Sequence, residues 1–297
     1  MKLSMFKTKI IFFLLLFIWT GLNHQPSYAN ILKKNPASAK LVIKSDGKVL
    51  YTKNANSKMY PASLTKLMTL YLTFEAIKHH RISSKTPLII SKRAASMPRS
   101  KLWLAAGKKI TIEEAVLSLI IRSANDSAVV LAENLAGSEQ KFANKMNARA
   151  KQLGMINTHF VNASGWHNRR QVTTAYDMAK LAIALKRDFP EYYHLFSRDS
   201  FYYNNTLFKG YSYVLSKLYG AEGLKTGYTA QAGWNIVTAA NRGNTHLIGV
   251  ILGSKSHRAR DLEMIKLIES HFNKGPRYKN KKPIYASATK VRLNNPA

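Results

Sequence analysis

The sequence predicts a mixed α/β fold of the α+β type: an antiparallel sheet built from both chain ends, flanked by helices, with an all-helical region inserted between the two halves. Three observations predict it. Two β-type stretches, 39–44 and 49–52, flank the tight-turn signal Asp46-Gly47. Three more, 223–229, 234–240 and 246–252, come only late in the chain. Between them the apolar residues recur with helical spacing, and this order of elements brings two distant groups of strands into one sheet across an insertion.

The first residues read as a targeting signal. Lys2, Lys7 and Lys9 precede an apolar run from Ile10 to Trp19, and Ser27-Tyr28-Ala29 is a small-x-small cleavage site. Removal of residues 1–29 is expected, with an uncleaved N-terminal anchor as the alternative, because the run is short for a membrane-spanning helix. The chain then divides into a catalytic region over 30–272, in two subdomains with the site between them, and a basic flexible tail over 273–297. The tail has seven basic residues, no acidic one, and Gly275, Pro276, Pro283 and Pro296. Without the first 29 residues, 43 basic residues face 15 acidic ones, a net charge of +28. Such a surface suits anionic envelope polymers or an anionic membrane. Export and the absence of arginine-rich clusters argue against nucleic acid. With no cysteine in the chain, thiol nucleophiles, thiolate metal sites and disulfides are excluded.

After the hairpin, an almost wholly apolar segment from Ser63 to Ile77 predicts a helix, with Pro61 suited to its start. Residues 79–110 read as loops and short pieces broken by Pro87 and Pro98. Helices follow over 112–122 and 127–135, interrupted by Ser123-Ala124-Asn125-Asp126, then over 138–152 and 175–185. The strand at 234–240 and that at 246–252 are joined by a turn over 241–244, and a helix over 259–272 closes the fold.

Ser63 and Lys66, three apart at the head of the first helix, share one face, so a hydroxyl nucleophile can meet an amine base. The Ser63 N–H at the positive end of that helix can hold an oxyanion. The pattern alone is weak, since Ser-x-x-Lys also starts at Ser4, Ser45, Ser138 and Ser287. Only the copy at Ser63 opens a long apolar segment, and two other motifs occur once each: Ser123-Ala124-Asn125 between helices and Lys225-Thr226-Gly227 on a strand.

With Tyr60-Pro61-Ala62-Ser63-Leu64-Thr65-Lys66, Ser123-Ala124-Asn125-Asp126, Asn162-Ala163-Ser164-Gly165, Asp177-Met178-Ala179 and Gly223-Leu224-Lys225-Thr226-Gly227-Tyr228-Thr229, the chain resembles the low-molecular-mass penicillin-binding proteins over residues 38–272. These are serine-type D-alanyl-D-alanine carboxypeptidases of peptidase family S11, with a β-lactamase/transpeptidase-like fold. The resemblance implies a muropeptide substrate ending in D-Ala-D-Ala and covalent inhibition by β-lactams. Ser63 would be acylated, Lys66 would take its proton, and Ser123 would pass a proton to the leaving amine. Asn125 would hold the substrate amide, and Lys225 and Thr226 would face the terminal carboxylate. Gly227 would allow close approach, and the N–H groups of Ser63 and Tyr228 would form the oxyanion hole. No metal or organic cofactor is implied, and the chain has no His-Glu-x-x-His phrase.

Arg260 matches a family arginine near the carboxylate, with a solvated helix-start arginine as the alternative. Tyr176 stands where the family often has arginine, which puts one carboxylate contact in question. His167 reads as a loop histidine, and Tyr202, Tyr203, Tyr211 and Tyr213 as core or edge-strand aromatics. A class A β-lactamase adds a glutamate in a Glu-x-x-x-Asn phrase; none is expected anywhere in this chain, so slow loss of a bound penicillin is expected. Within the family, an endopeptidase cutting D-alanyl cross-links shares this machinery. A catalytically inactive wall-binding protein is the reading from a different class. The expected location is the periplasm or the outer face of the cytoplasmic membrane.

Overall fold

A computed structural model describes residues 38–210 and 212–272; the signal, the basic tail and Tyr211 lie outside the described residues. The sheet is five-stranded and antiparallel throughout, in the order β2 (Val49–Lys53), β1 (Ala39–Lys44), β9 (Thr245–Ser254), β8 (Gly233–Arg242), β7 (Ala221–Thr229). The expected joining of the two chain ends is the contact of β1 with β9, which runs in register from Ala39 against Leu252 to Lys44 against Leu247. β7 is left at an edge. That exposes the backbone of Lys225-Thr226-Gly227 to any extended peptide.

The central strands are apolar on both faces, and the two-residue period sorts their side chains between two cores. Leu41, Ile43, Val237, Ala239, Ile248, Val250 and Leu252 join the main cluster with the helical region. Val42, Ile236, Ala240, Leu247 and Ile251 face the other way, onto Met264 and Ile268 of α9 (His257–His271). α1 (Lys66–Lys78) is buried from Lys66 to Ile77 except for a half-buried Glu75, which explains why its apolar residues show no one-sided pattern.

Around α1 lie α3 (Ile112–Ile121), α4 (Asn125–Ala136), α5 (Glu139–Gln152) and α6 (Ala175–Asp188). Each of α3, α5 and α6 opens on a side-chain cap: Thr111 with Glu114 in a reciprocal capping box, Ser138, and Thr174. α3 and α4 begin and end within a few residues of the expected positions, and the break between them falls at Arg122 to Ala124.

Several elements were absent from the sequence-based expectation. Residues 79–110 contain β3 (Pro87–Ile89), α2 (Lys92–Ala95) and the start of β4 (Lys109–Thr111), with β3 and β4 paired. Before the β7 edge come α7 (Pro190–Tyr193), the hairpin β5 (Ser200–Tyr203) and β6 (Thr206–Lys209), and α8 (Tyr213–Lys217). Tyr202 stands exposed on β5 and Tyr203 is half-buried against Phe208.

Candidate active site

Ser63 sits in a 3-10 turn, Ala62–Thr65, that runs directly into α1 at Lys66, so the nucleophile precedes the α-helix instead of opening it. Ala62 reaches this turn at φ +49°, an unfavourable conformation for a residue with a Cβ. Lys66 is fully buried. Its Nζ lies 3.1 Å from Ser63 Oγ, 2.7 Å from Asn125 Oδ1 and 2.5 Å from the Ser164 carbonyl. Burial, with Lys225 adding to it and the Asp126 carboxylate opposing, holds the Lys66 amine well below the ordinary lysine range.

The geometry suits the neutral amine. As placed, Lys66 Nζ donates to all three oxygens; in the neutral form two N–H donors suffice for the two that can only accept, Asn125 Oδ1 and the Ser164 carbonyl, which leaves the lone pair for the Ser63 O–H. The amine is thus arranged to take a proton from Ser63.

Ser123 and Asn125 form the second wall. Ser123 is held at φ +55°, and its buried hydroxyl has no partner among the described residues. Asn125 accepts from Lys66, donates one amide N–H to the Pro98 carbonyl at 3.0 Å, and retains a second N–H. The next residue, Asp126, is fully buried and accepts the N–H groups of Leu102 and Leu104 at 2.9–3.2 Å. Its carboxylate therefore ties the loop 98–104 to the start of α4.

The third wall is β7. Alternation along the strand puts Lys225 and Gly227 on its buried face and Thr226 and Tyr228 towards the opening. A Cβ on Gly227 would stand 2.9 Å from Ser63 N and 3.2 Å from the Pro61 carbonyl, so only glycine lets the strand lie against the nucleophile turn. Asn235, across from Gly227 on β8, donates to the Tyr60 and Pro61 carbonyls and accepts from Gly253 N–H, pinning that turn to the sheet.

Lys225 is buried, donates to the Thr226 carbonyl at 2.9 Å, and is pushed down to about 7 by burial and by the Arg260 guanidinium. Arg260 is 7% exposed, is paired with Asp261 at 2.7 Å and lines the same groove, so it is not a solvated helix-start residue. Ser63, Ser123, Asn125, Thr226, Gly227, Tyr228 and Arg260 all border this groove of about 630 Å³, with Lys66 and Lys225 behind it.

Other expectations fall away from the groove. Tyr176 packs against the main apolar core, its N–H on the Ala55 carbonyl, and is not among the groove residues. The carboxylate contact placed in question at that position is not at the groove. His167 stacks edge-on against Tyr60 with ring centres 4.9 Å apart. The chain does contain one Glu-x-x-x-Asn phrase, from Glu269 to Asn273. Glu269 lies in α9 paired with Arg242, and not in the groove, so it is not placed to activate water there.

The phrase Asn162 to Gly165 acts through its backbone: Ser164 offers its carbonyl to Lys66, and Gly165 passes under Ala62. Asp126, Asn235 and the exposed Trp103 carried no role in the sequence-based reading; Asp126 closed the Ser123-Ala124-Asn125-Asp126 phrase, which was the available signal for it. Among the described residues no group of His, Cys, Asp or Glu could hold a metal ion.

The Lys225 position fixes the sign of a pH effect. A lysine with a lowered pKa is a cation below that value and neutral above it, and a carboxylate bound against Lys225, as the sequence-based reading expects, would need the cation. The kcat/KM profile, which reports the free enzyme, is therefore expected to fall as pH rises through about 7. Arg260→Ala removes a cause of the lowering and is expected to move this alkaline limb to higher pH. An unmoved limb would show that Arg260 and Lys225 are not coupled.

The comparisons agree with this geometry. The family model described as D-alanyl-D-alanine carboxypeptidase matches residues 26–256. D-alanyl-D-alanine carboxypeptidase DacF of Bacillus subtilis is 35% identical over 261 residues, 83% of this chain and 65% of the relative. DacC of Escherichia coli is 37% identical over 231 residues, 75% of this chain and 58% of the relative. The chain thus spans less than two thirds of these relatives' length. Among solved structures, the D-alanyl-D-alanine carboxypeptidase DacD from Francisella tularensis superposes with a TM-score of 0.72 at 31% identity, over 80% of this chain and 70% of that one. Penicillin-binding protein D2 from Listeria monocytogenes, in its ampicillin-bound form, gives 0.70 at 29% identity, over 77% and 96%.

Proposed function

The chain belongs to the D-alanyl-D-alanine carboxypeptidase family, and from that premise we propose that it removes the terminal D-alanine from peptidoglycan peptides ending in D-Ala-D-Ala, through an acyl-enzyme on Ser63. The observation that carries the reading is the Lys66 amine, fully buried and held by two acceptors with its remaining position on Ser63 Oγ. Ser63 Oγ attacks the carbonyl carbon between the two alanines while its proton passes to Lys66 Nζ. The oxyanion is held by the N–H groups of Ser63 and Tyr228. As the C–N bond breaks, Ser123 hands its proton to the leaving D-alanine amine and is reprotonated by the proton held on Lys66, which returns that amine to its neutral form. Water then hydrolyses the Ser63 ester and restores the hydroxyl.

The terminal carboxylate lies against Lys225, Thr226 and Arg260, and Asn125 uses its second N–H on the substrate amide. The substrate backbone runs along the free edge of β7 as an added strand. β-Lactams acylate the same serine, as expected from the likeness to a penicillin-binding protein solved with ampicillin. We place the enzyme outside the cytoplasmic membrane at the cell wall, with 1–29 as its export signal, 30–272 as the catalytic unit and 273–297 as a basic extension towards anionic envelope polymers.

The test is mass spectrometry of the mature protein with benzylpenicillin, run beside Ser63→Ala, and D-alanine release from a pentapeptide and from a cross-linked dimer. A persistent adduct on Ser63, absent from the variant, with D-alanine released from the pentapeptide, is expected. No adduct would remove the serine mechanism, and cleavage of the dimer alone would make the enzyme an endopeptidase.

A further inference from the structure

The loop 98–104 forms one lip of the groove, and its construction is out of proportion to a connecting segment. Beyond the two Asp126 anchors, the Ser100 carbonyl accepts the Asn125 N–H at 2.7 Å, and Ser100 Oγ donates to the Arg122 carbonyl at 2.6 Å. The loop then holds Trp103 at φ +65° and 63% exposed. A large ring kept in water on an unfavourable backbone gains nothing from burial. What it does is carry charge: the Arg99 guanidinium lies 5.2 Å and the Lys101 amine 4.9 Å from its ring centre. Arg122, exposed at the end of α3, brings a third cation to the same lip, with its guanidinium on the Lys209 carbonyl.

None of these three cations pairs with a carboxylate among the described residues, and no aspartate or glutamate borders the groove. Three like charges gathered at a concave lip without a counter-charge focus an anion there. The terminal carboxylate of the substrate is already met at the β7 wall by Lys225 and Arg260, so a different anion is required. The Asn125 amide indicates where: it bonds the Pro98 carbonyl at the root of this loop, and under the mechanism proposed above its other N–H holds the substrate amide, which sets the loop beside the part of the peptide upstream of the scissile bond.

We propose that Arg99, Lys101 and Arg122 form a subsite for a second carboxylate, carried by the substrate peptide upstream of the scissile bond, so that the enzyme selects acidic peptides over neutral ones. The subsite rests on the carboxypeptidase reading above. Its test is a pair of peptides ending in D-Ala-D-Ala that differ only in one upstream side chain, carboxylate against carboxamide. The acidic peptide is expected to have a kcat/KM about five to ten times higher, mostly through a lower KM, with the advantage shrinking as salt is raised. Arg99→Glu/Lys101→Glu, at an exposed position and at a half-buried one whose amine donates to the Ala95 carbonyl at 2.7 Å, is expected to reverse the preference, and Arg99→Ala, at the exposed position alone, to reduce it. Equal kcat/KM for the two peptides, or a preference that survives charge reversal, would overturn the subsite. Failure of both peptides together with no penicillin adduct would overturn the carboxypeptidase reading, whereas an adduct with equal turnover of the two peptides removes the subsite alone.

Discussion

Replacing Lys66 by arginine is expected to slow acylation of Ser63 by penicillin about a thousandfold, within the range found when a general base is lost. The substitution keeps a long nitrogen-bearing stem but fixes a positive charge on it, so it separates a charged donor from a base. Arginine carries donors only and does not give up its proton in proteins. The Lys66 amine, in contrast, is fully buried and pushed well below the ordinary lysine range, first by desolvation and then by Lys225. Lys66→Met provides the second arm. It keeps the stem volume but leaves Asn125 Oδ1 and the Ser164 carbonyl without their donor, at a cost of about 1–3 kcal/mol for each buried group left unpaired. Acylation rates with a fluorescent penicillin, read beside melting temperatures, distinguish the outcomes. An arginine variant that acylates within tenfold of the parent, still folded, would remove Lys66 as the base.

That the three candidate motifs would meet at one groove was legible because the chemistry they suggest fixes residue type and local spacing together. Ser63 and Lys66 have to be one turn apart to touch, and a strand that lies against the nucleophile turn has to carry glycine at 227. The sheet was legible for a related reason. Strands buried on both faces, such as 246–252, are apolar almost without interruption and bounded by turn residues. The hairpin of β5 and β6 carried a signal that went unread: Asn204 and Asn205 both adopt positive φ, as a two-residue hairpin turn requires, and β-favouring aromatic residues flank them at 201–203 and 208.

The groove lip was illegible for a different reason. Asp126 acts on Leu102, 24 residues back, and Trp103 matters because of where a loop takes it. No period or propensity encodes such a path. Arg99 and Lys101 look like two more solvated charges in a chain with 46 basic residues until the fold shows that they share one ring. Asn235 is similar: a buried amide within an apolar strand, explained only by the Tyr60 and Pro61 carbonyls 175 and 174 residues away.

Gly165→Ala is expected to cost about 2–5 kcal/mol of stability and to reduce penicillin acylation by at least a hundredfold. Gly165 has φ +81°, and an added Cβ would lie 1.9 Å from the Ala62 carbonyl oxygen and 3.0 Å from Ser63 N. Two costs combine: a left-handed backbone that alanine resists, and an overlap with main chain that no rotamer change relieves. Relief requires the Ala62–Thr65 turn to move. In the proposed mechanism that turn carries the nucleophile and one oxyanion N–H, and loss of a single such donor is worth about 10²- to 10³-fold. The same shift would displace the neighbouring Ser164 carbonyl from Lys66. Gly154→Ala is the comparison that isolates the effect. It also has a positive φ, +71°, but an added Cβ there meets only the end of the flexible Lys180 side chain at 3.8 Å. A fall in melting temperature with unchanged acylation at Gly154, against loss of both at Gly165, would tie the Gly165 phrase to the position of Ser63. Parallel behaviour of the two variants would reduce Gly165 to a backbone preference with no part in the site.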